Sequence, residues 1–269
     1  MKKLATALVS AAAIMTMSTT AFAAENPAEV FDRVMEKNNT IQSAEIQSGV
    51  HSVILAKDVI PDGQMKVDMA MHAEMDMQDT TDLKYLAQVA SSILGQDSYS
   101  QVFYTDGYYY VDANGVKLKY PMPLEQIISS VQTGVNTSNM ESSYMKGISL
   151  NEVNGKRVLA YEANPKKLNK NVKEALGTVM NTLGTDINLD MNIQEMKGAY
   201  VLDDNDYIIY MTNYIVYNME VLDQSMTCIT LMETEVQNPG EPVVVTLPST
   251  DGYEDLIGLY DGVIESEVE

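Results

Sequence analysis

Apolar and polar residues alternate from residue 65 to residue 77. The odd positions, Met65, Val67, Met69, Met71, Ala73, Met75 and Met77, are all apolar, and of the even ones only Ala70 is. Methionine favours helices, so propensity alone points the wrong way. On a helix these side chains would spread around the whole circumference; on a strand they share one face. The period predicts a strand roughly 43 Å long at about 3.3 Å per residue, a length suited to a large curved sheet. Residues 207–221 read alike, with Tyr207, Ile209, Met211, Ile215, Tyr217, Met219 and Val221 on one face, interrupted by Asn213. Ile208, Tyr210, Tyr214 and Val216 occupy the other face, so part of this strand is covered on both sides. Residues 225–236 and 243–247 read as the last strands. Asp112-Ala113-Asn114-Gly115 and Asn154-Gly155 signal hairpins, and Asp203-Asp204-Asn205-Asp206 a solvated turn.

Elsewhere the period lengthens to that of a helix. Asn26-Pro27-Ala28-Glu29 supplies an N-cap, a proline at the first helical position and an early acid, followed by Phe31, Val34 and Met35. Leu83, Leu86, Ala87, Ala90, Ile93 and Leu94 form a second helical stripe ending at Gly95. Leu124, Ile127, Ile128 and Val131 form a third. Leu168, Val172, Ala175, Leu176, Val179, Met180 and Leu183 form a fourth, entered through Asn164-Pro165 and stopped by Gly184. Runs of antiparallel strands with inserted helices define an α+β chain. No low-complexity linker interrupts residues 25–250, which read as a single domain followed by an acidic tail, residues 251–269, able to dock a short helix through Leu256, Leu259, Tyr260 and Val263.

Residues 1–24 read as a secretory signal peptide. Lys2 and Lys3 precede an apolar stretch from Leu4 to Met17, and Ala21-Phe22-Ala23 fits the cleavage pattern. The run is too short to span a bilayer, and no cysteine follows it, so the expectation is an exported, secreted or envelope-associated protein that is not a lipoprotein. The 269-residue chain carries 17 basic and 38 acidic side chains, a net charge of −21, which becomes −23 when Lys2 and Lys3 leave with the leader. That balance argues against nucleic acid as a partner. No later stretch reaches transmembrane length.

The chemistry-bearing residues are few. The sequence holds no G-x-S-x-G, H-E-x-x-H, P-loop or G-x-G-x-x-G pattern. Cys228, the only cysteine, lies in an apolar strand and reads as a small buried hydrophobe. The expectation is no enzyme, no cofactor and no metal site; His72 alternates away from Met71 and Met75, which disfavours a thioether copper site. Sixteen methionines remain after the leader, with no tryptophan. Their one-sided face is either packing against helices or a lining for a flexible apolar ligand, since an unbranched, polarisable side chain repacks around varied shapes. The candidate lining is Met65, Val67, Met69, Met71, Met75 and Met77 with Tyr207, Ile209, Met211, Ile215, Tyr217 and Met219.

The order of elements, with Tyr104-Thr105-Asp106-Gly107-Tyr108-Tyr109-Tyr110-Val111 and the closing Gly240-Glu241-Pro242-Val243-Val244-Val245-Thr246-Leu247-Pro248, resembles the LolA/LppX-like lipoprotein-carrier superfamily, most of all its secreted Gram-positive (Firmicutes) members. The resemblance implies a curved antiparallel half-barrel with helices covering its concave face, and a lipid or acyl chain held between them. The alternative is an envelope interaction or sensory module with a filled core and a protein partner.

Overall fold

The computed structural model describes residues 25–56, 60, 62–79, 82–123, 126, 140–170, 189–221 and 224–256. Helix α1 (Pro27–Asn38) is followed by twelve strands: β1 (Ser43–Leu55), β2 (Gln64–Asp76), β3 (Lys84–Ile93), β4 (Gln96–Thr105), β5 (Tyr108–Ala113), β6 (Val116–Pro121), β7 (Met145–Val153), β8 (Lys156–Ala163), β9 (Leu189–Leu202), β10 (Ile208–Val221), β11 (Gln224–Gln237) and β12 (Glu254–Asp255). They form one open sheet in the order β12-β6-β5-β4-β3-β2-β1-β11-β10-β9-β8-β7. The sheet is mostly antiparallel, with β12 alongside β6 in parallel. Residues 165–170 are also helical. The chain divides into two compact units. Unit 1 is Met1–Asn38, Gly49–Asp68 and Ser138–Glu235; unit 2 is Asn39–Ser48, Met69–Thr137 and Val236–Glu269.

In unit 1, α1 forms where the sequence places it. The Asn26 side chain accepts from the Ala28 amide at 3.1 Å, capping the first turn. Val30, Phe31, Val34 and Met35 then fall on one stripe and bury against Leu150, Leu159, Tyr161, Tyr200, Leu202 and Ile208. Phe31 meets the edge of Tyr161 at 5.8 Å, and Tyr161 stacks on Tyr200 at 5.2 Å. The far end of the helix is fastened to the β9–β10 turn. Asn38 Nδ2 donates to the Val34 carbonyl at 2.7 Å and to the Asp206 carbonyl at 3.0 Å, while its Oδ1 accepts from the Ile208 amide at 2.9 Å. Asp206 takes Arg33 Nε at 2.8 Å and also pairs with Arg157, and Glu25 bridges the same two arginines at 3.2 Å each. The turn expected to be plainly solvated is instead the anchor of α1.

Unit 2 has apolar side chains on both sides of its strands. On one side Met75 and Met77 bury with Ala44, Ile46, Leu83, Tyr104 and Val236. On the other, Phe103 stacks on Tyr110 at 4.6 Å, Tyr253 meets both rings edge-on, and Leu86 and Val245 close the cluster.

Two expectations are corrected here. Residues 83–94 are not a helix: β3 occupies Lys84–Ile93, pairing Leu86 with Phe103 and Ala87 with Val102. Because Leu86 and Ala87 enter different cores on opposite faces, apolar residues occur at both parities and imitate a helical stripe. Gly95, read as a helix stop, is the second residue of a hairpin turn with φ 74°. Residues 243–247 are not a strand; they run without ladder partners, and Val245 buries in the Phe103 cluster while the Thr246 amide reaches Glu74 Oε2 at 3.3 Å. Of the helix expected over 124–131 only Gln126 is described, and of the short tail helix through Leu256, Leu259, Tyr260 and Val263 only Leu256; the rest of both, and the helix expected beyond residue 170, lie outside the described residues.

Candidate functional site

The expected strand over residues 65–77 is β2, and its alternation decides which side chains share a face. The neighbouring strands fix that face by contact. In unit 1, Ser52 Oγ lies 2.9 Å from Thr230 Oγ1, and Thr230 stands opposite Ile215 in the β10–β11 ladder. Directly paired residues share a face, so Ile215, Thr230 and Ser52 lie together. His51 Nδ1 pairs with Asp68 at 2.7 Å, which puts Asp68 and Lys66 on the opposite face and turns Met65 and Val67 to the Ser52 side. By the same register Tyr217 joins Cys228, and Met219 joins Met226.

This half-buried face of Met65, Val67, Ile215, Tyr217, Met219, Met226 and Met232 is the candidate site of unit 1. Toward β9 it runs into the core under α1, where Met211, Ile215 and Tyr217 pack against the buried cluster. Cys228 is buried within the face, 2% exposed. Burial, and then its hydrogen bond with Cys228, raises the Tyr217 phenol above its ordinary pKa, so it stays a neutral donor. Apolar, flexible and only partly covered, such a face can gain by removing an apolar body from water.

The other expected lining residues divide. Met71, Met75 and Met77 belong to the core of unit 2, Met75 and Met77 at 1% and 3% exposure, while Met69 is 40% exposed. Tyr207 precedes β10, with the Lys37 ammonium 4.2 Å from its ring centre. A bulge between Ile208 and Tyr210 shifts the parity, so Ile208 rather than Ile209 enters the core of unit 1.

Three residues that alternation could not single out organise this face. Asn213, 4% exposed, accepts a hydrogen bond from the Tyr161 hydroxyl. The two lie on either side of Gly198, which pairs with Tyr161 on β8 and with Asn213 on β10. A Cβ on Gly198 would lie 2.4 Å from Asn213 Oδ1 and 2.8 Å from the Tyr161 hydroxyl, so the absent side chain is what lets the two meet. Burial holds the Tyr161 phenol well above its ordinary pKa and pushes Tyr200 up to about 12. Asn213 appeared in the sequence only as a break in the apolar run.

The opposite face of unit 1 carries a cleft of about 300 Å³ floored by Val53, Tyr214, Ile229 and Leu231, with His51, Lys66 and Asp68 at its rim. Among the described residues, no three His, Cys, Asp or Glu side chains are grouped to hold a metal ion, and no helix is long and apolar enough to cross a membrane.

Fold and face together define an open-sheet protein with a half-buried, methionine-rich surface. The chain belongs to the family of unknown function DUF6612, whose model matches residues 26–248. No curated protein matches it. Among solved structures it is similar to LprF from Mycobacterium bovis, at 11% identity and a TM-score of 0.35 over 83% of this chain and 97% of that one. It is also similar to a beta-barrel-like protein of domain family DUF1849 from Brucella abortus, at 12% identity and a TM-score of 0.24 over 74% of this chain and 100% of that one.

Proposed function

We propose that this is an exported, non-enzymatic binding protein, built as a single curved half-barrel domain, that holds an apolar ligand, a lipid or acyl chain, against the methionine-rich face of its sheet. The observation that supports this reading is the run of half-buried apolar side chains, Met65, Val67, Met226, Met219, Ile215 and Tyr217, on one face of unit 1. A protein without use for such a surface would close it, as unit 2 closes over Met75 and Met77. Burying an acyl chain yields about 0.8 kcal/mol per methylene, so twelve methylenes give a gross term of about 10 kcal/mol before ordering costs. At a net charge of −21 the chain offers little to an anionic headgroup, so affinity rests on the tail.

The test is uptake of a fluorescent fatty acid by the purified protein and by Met219→Glu. Met219 is only partly buried, so the variant keeps its fold, checked by circular dichroism. Loss of uptake in a folded variant supports the reading. Undiminished uptake, or none by the parent protein across a panel of acyl lengths, removes it in favour of a protein partner.

A further inference from the structure

The register of β9, β10 and β11 brings three sulfur atoms into one row. Met219 on β10 stands directly opposite Met226 on β11 and directly opposite Met191 on β9. Directly paired residues share a face, so the three thioethers run unbroken across three adjacent strands. All three are half-buried, and all belong to unit 1. The next row along the same face is Ile193, Tyr217 and Cys228. Neither row contains a carboxylate, an imidazole or an ammonium group.

Opposed Cβ atoms in antiparallel strands lie about 4.5–5.5 Å apart, so Met219 has a thioether neighbour at that spacing on each side. A methionine side chain is unbranched and turns about three bonds, which lets the outer two lean over Met219 and bring three sulfurs around one point. Packing alone does not call for this composition. A pleated strand is filled better by β-branched and aromatic side chains, as Ile193 and Tyr217 fill the next row.

We propose that Met191, Met219 and Met226 form a three-thioether site for Cu(I). The donor set decides the ion. Calcium and magnesium take oxygen ligands, and zinc takes thiolate, imidazole or carboxylate, none of which this row offers. Thioethers are soft donors and select Cu(I). They are neutral, so the site carries no charge of its own, and the net charge of −21 on the chain raises the concentration of any cation around it. The row is only half-buried, which leaves the ion a way in. The objection drawn from His72 concerns Met71 and Met75 on β2; here the ligands come from three other strands and need no histidine. The site goes beyond acyl-chain binding and stands without it.

The experiment is a titration with Cu(I), under nitrogen with ascorbate, of protein labelled at the methionine methyl groups with carbon-13. Cu(I) is diamagnetic, so the methyl signals of its ligands shift and stay visible. One equivalent moves the signals of Met191, Met219 and Met226, each assigned by its Met→Leu variant, and Zn(II) moves none of them. A free thiol takes soft metals by itself, so the titration is repeated in Cys228→Ala, where the same three signals move. Leucine is close to methionine in volume, so Met219→Leu keeps the fold. It loses Cu(I) to a chromogenic chelator about tenfold more readily, having one soft ligand fewer, while Met35→Leu in α1 competes like the parent. Cu(I) that moves no methionine methyl, that binds only while Cys228 is present, or that Met219→Leu holds as tightly as the parent overturns the proposal. No lipid is present in the titration, so failure here and failure of fatty-acid uptake are separate results.

Discussion

Gly198→Ala tests the central packing claim about unit 1. The added methyl would meet Asn213 Oδ1 at 2.4 Å, the Thr212 carbonyl oxygen at 2.6 Å and the Tyr161 hydroxyl at 2.8 Å. The Thr212 oxygen is backbone of the adjacent strand, so relief requires β9 and β10 to separate, with the Asn213 and Tyr161 side chains displaced as well. Overpacking of this kind costs about 1–3 kcal/mol. Displacing the Tyr161 hydroxyl from Asn213 adds about 1–3 kcal/mol, because the amide stays buried without that donor. Against these stands the gain of about 0.4–1 kcal/mol from restricting the unfolded chain. The expected net loss is about 2–4 kcal/mol, read from urea denaturation followed by far-ultraviolet circular dichroism and tyrosine fluorescence, there being no tryptophan. Gly49→Ala is the matched control: it also lies in a strand, and its nearest neighbour is His51 Nε2 at 4.0 Å, so its stability should hold or rise slightly. A Gly198→Ala protein within about 0.5 kcal/mol of the parent, with an unchanged urea slope, would refute the reasoning.

Two further expectations concern pH. Burial of Asp206 would raise its pKa, but hydrogen bonds from Arg33 and Arg157 outweigh it and hold the carboxyl below its ordinary value. Its contribution is thus present above about pH 4 and lost as pH falls through the lower folded value; Asp206→Asn should cost about 1–2 kcal/mol at neutral pH and flatten that part of the acid limb, and a parallel acid limb would count against the clamp. At the alkaline end the sign reverses. Tyr161 and Tyr200 keep their protons in the fold while unfolded phenols release theirs near pH 10, so stability should fall above about pH 10. If all sixteen tyrosines titrate near pH 10 with the native circular dichroism intact, the buried pair is not held as described.

Where a strand has one wet and one dry side, the sequence wrote it plainly. β2 was readable because polar residues mark every position but Ala70 on its second face, β10 because Met211, Ile215, Tyr217, Met219 and Val221 keep the period on its first, and α1 because Asn26-Pro27 punctuated it. β3 misled because Leu86 and Ala87 are both apolar for separate cores, and a doubly covered strand loses the period that identifies it. The candidate lining was half legible for a related reason. Alternation names a face but not how far along the strand the cover extends, so Met75 and Met77, fully enclosed, looked the same as Met65, half open. Tyr161, Gly198 and Asn213 come from three strands and are neighbours only through register, which no local pattern encodes.

The fastening of α1 has a meaning in time. Asn38 holds the Ile208 amide across 170 residues, and Ser52 on β1 meets Thr230 across 178. A chain made from its N-terminus completes α1 early and must wait for most of its remaining length before Val30, Phe31 and Val34 find cover. Closing so long a loop before any reward is collected makes for slow folding. Until then the earliest segment is an exposed greasy stripe, open to holdase chaperones and to proteases. Truncation anywhere before the β9–β10 turn should leave a product that is cleared rather than stored.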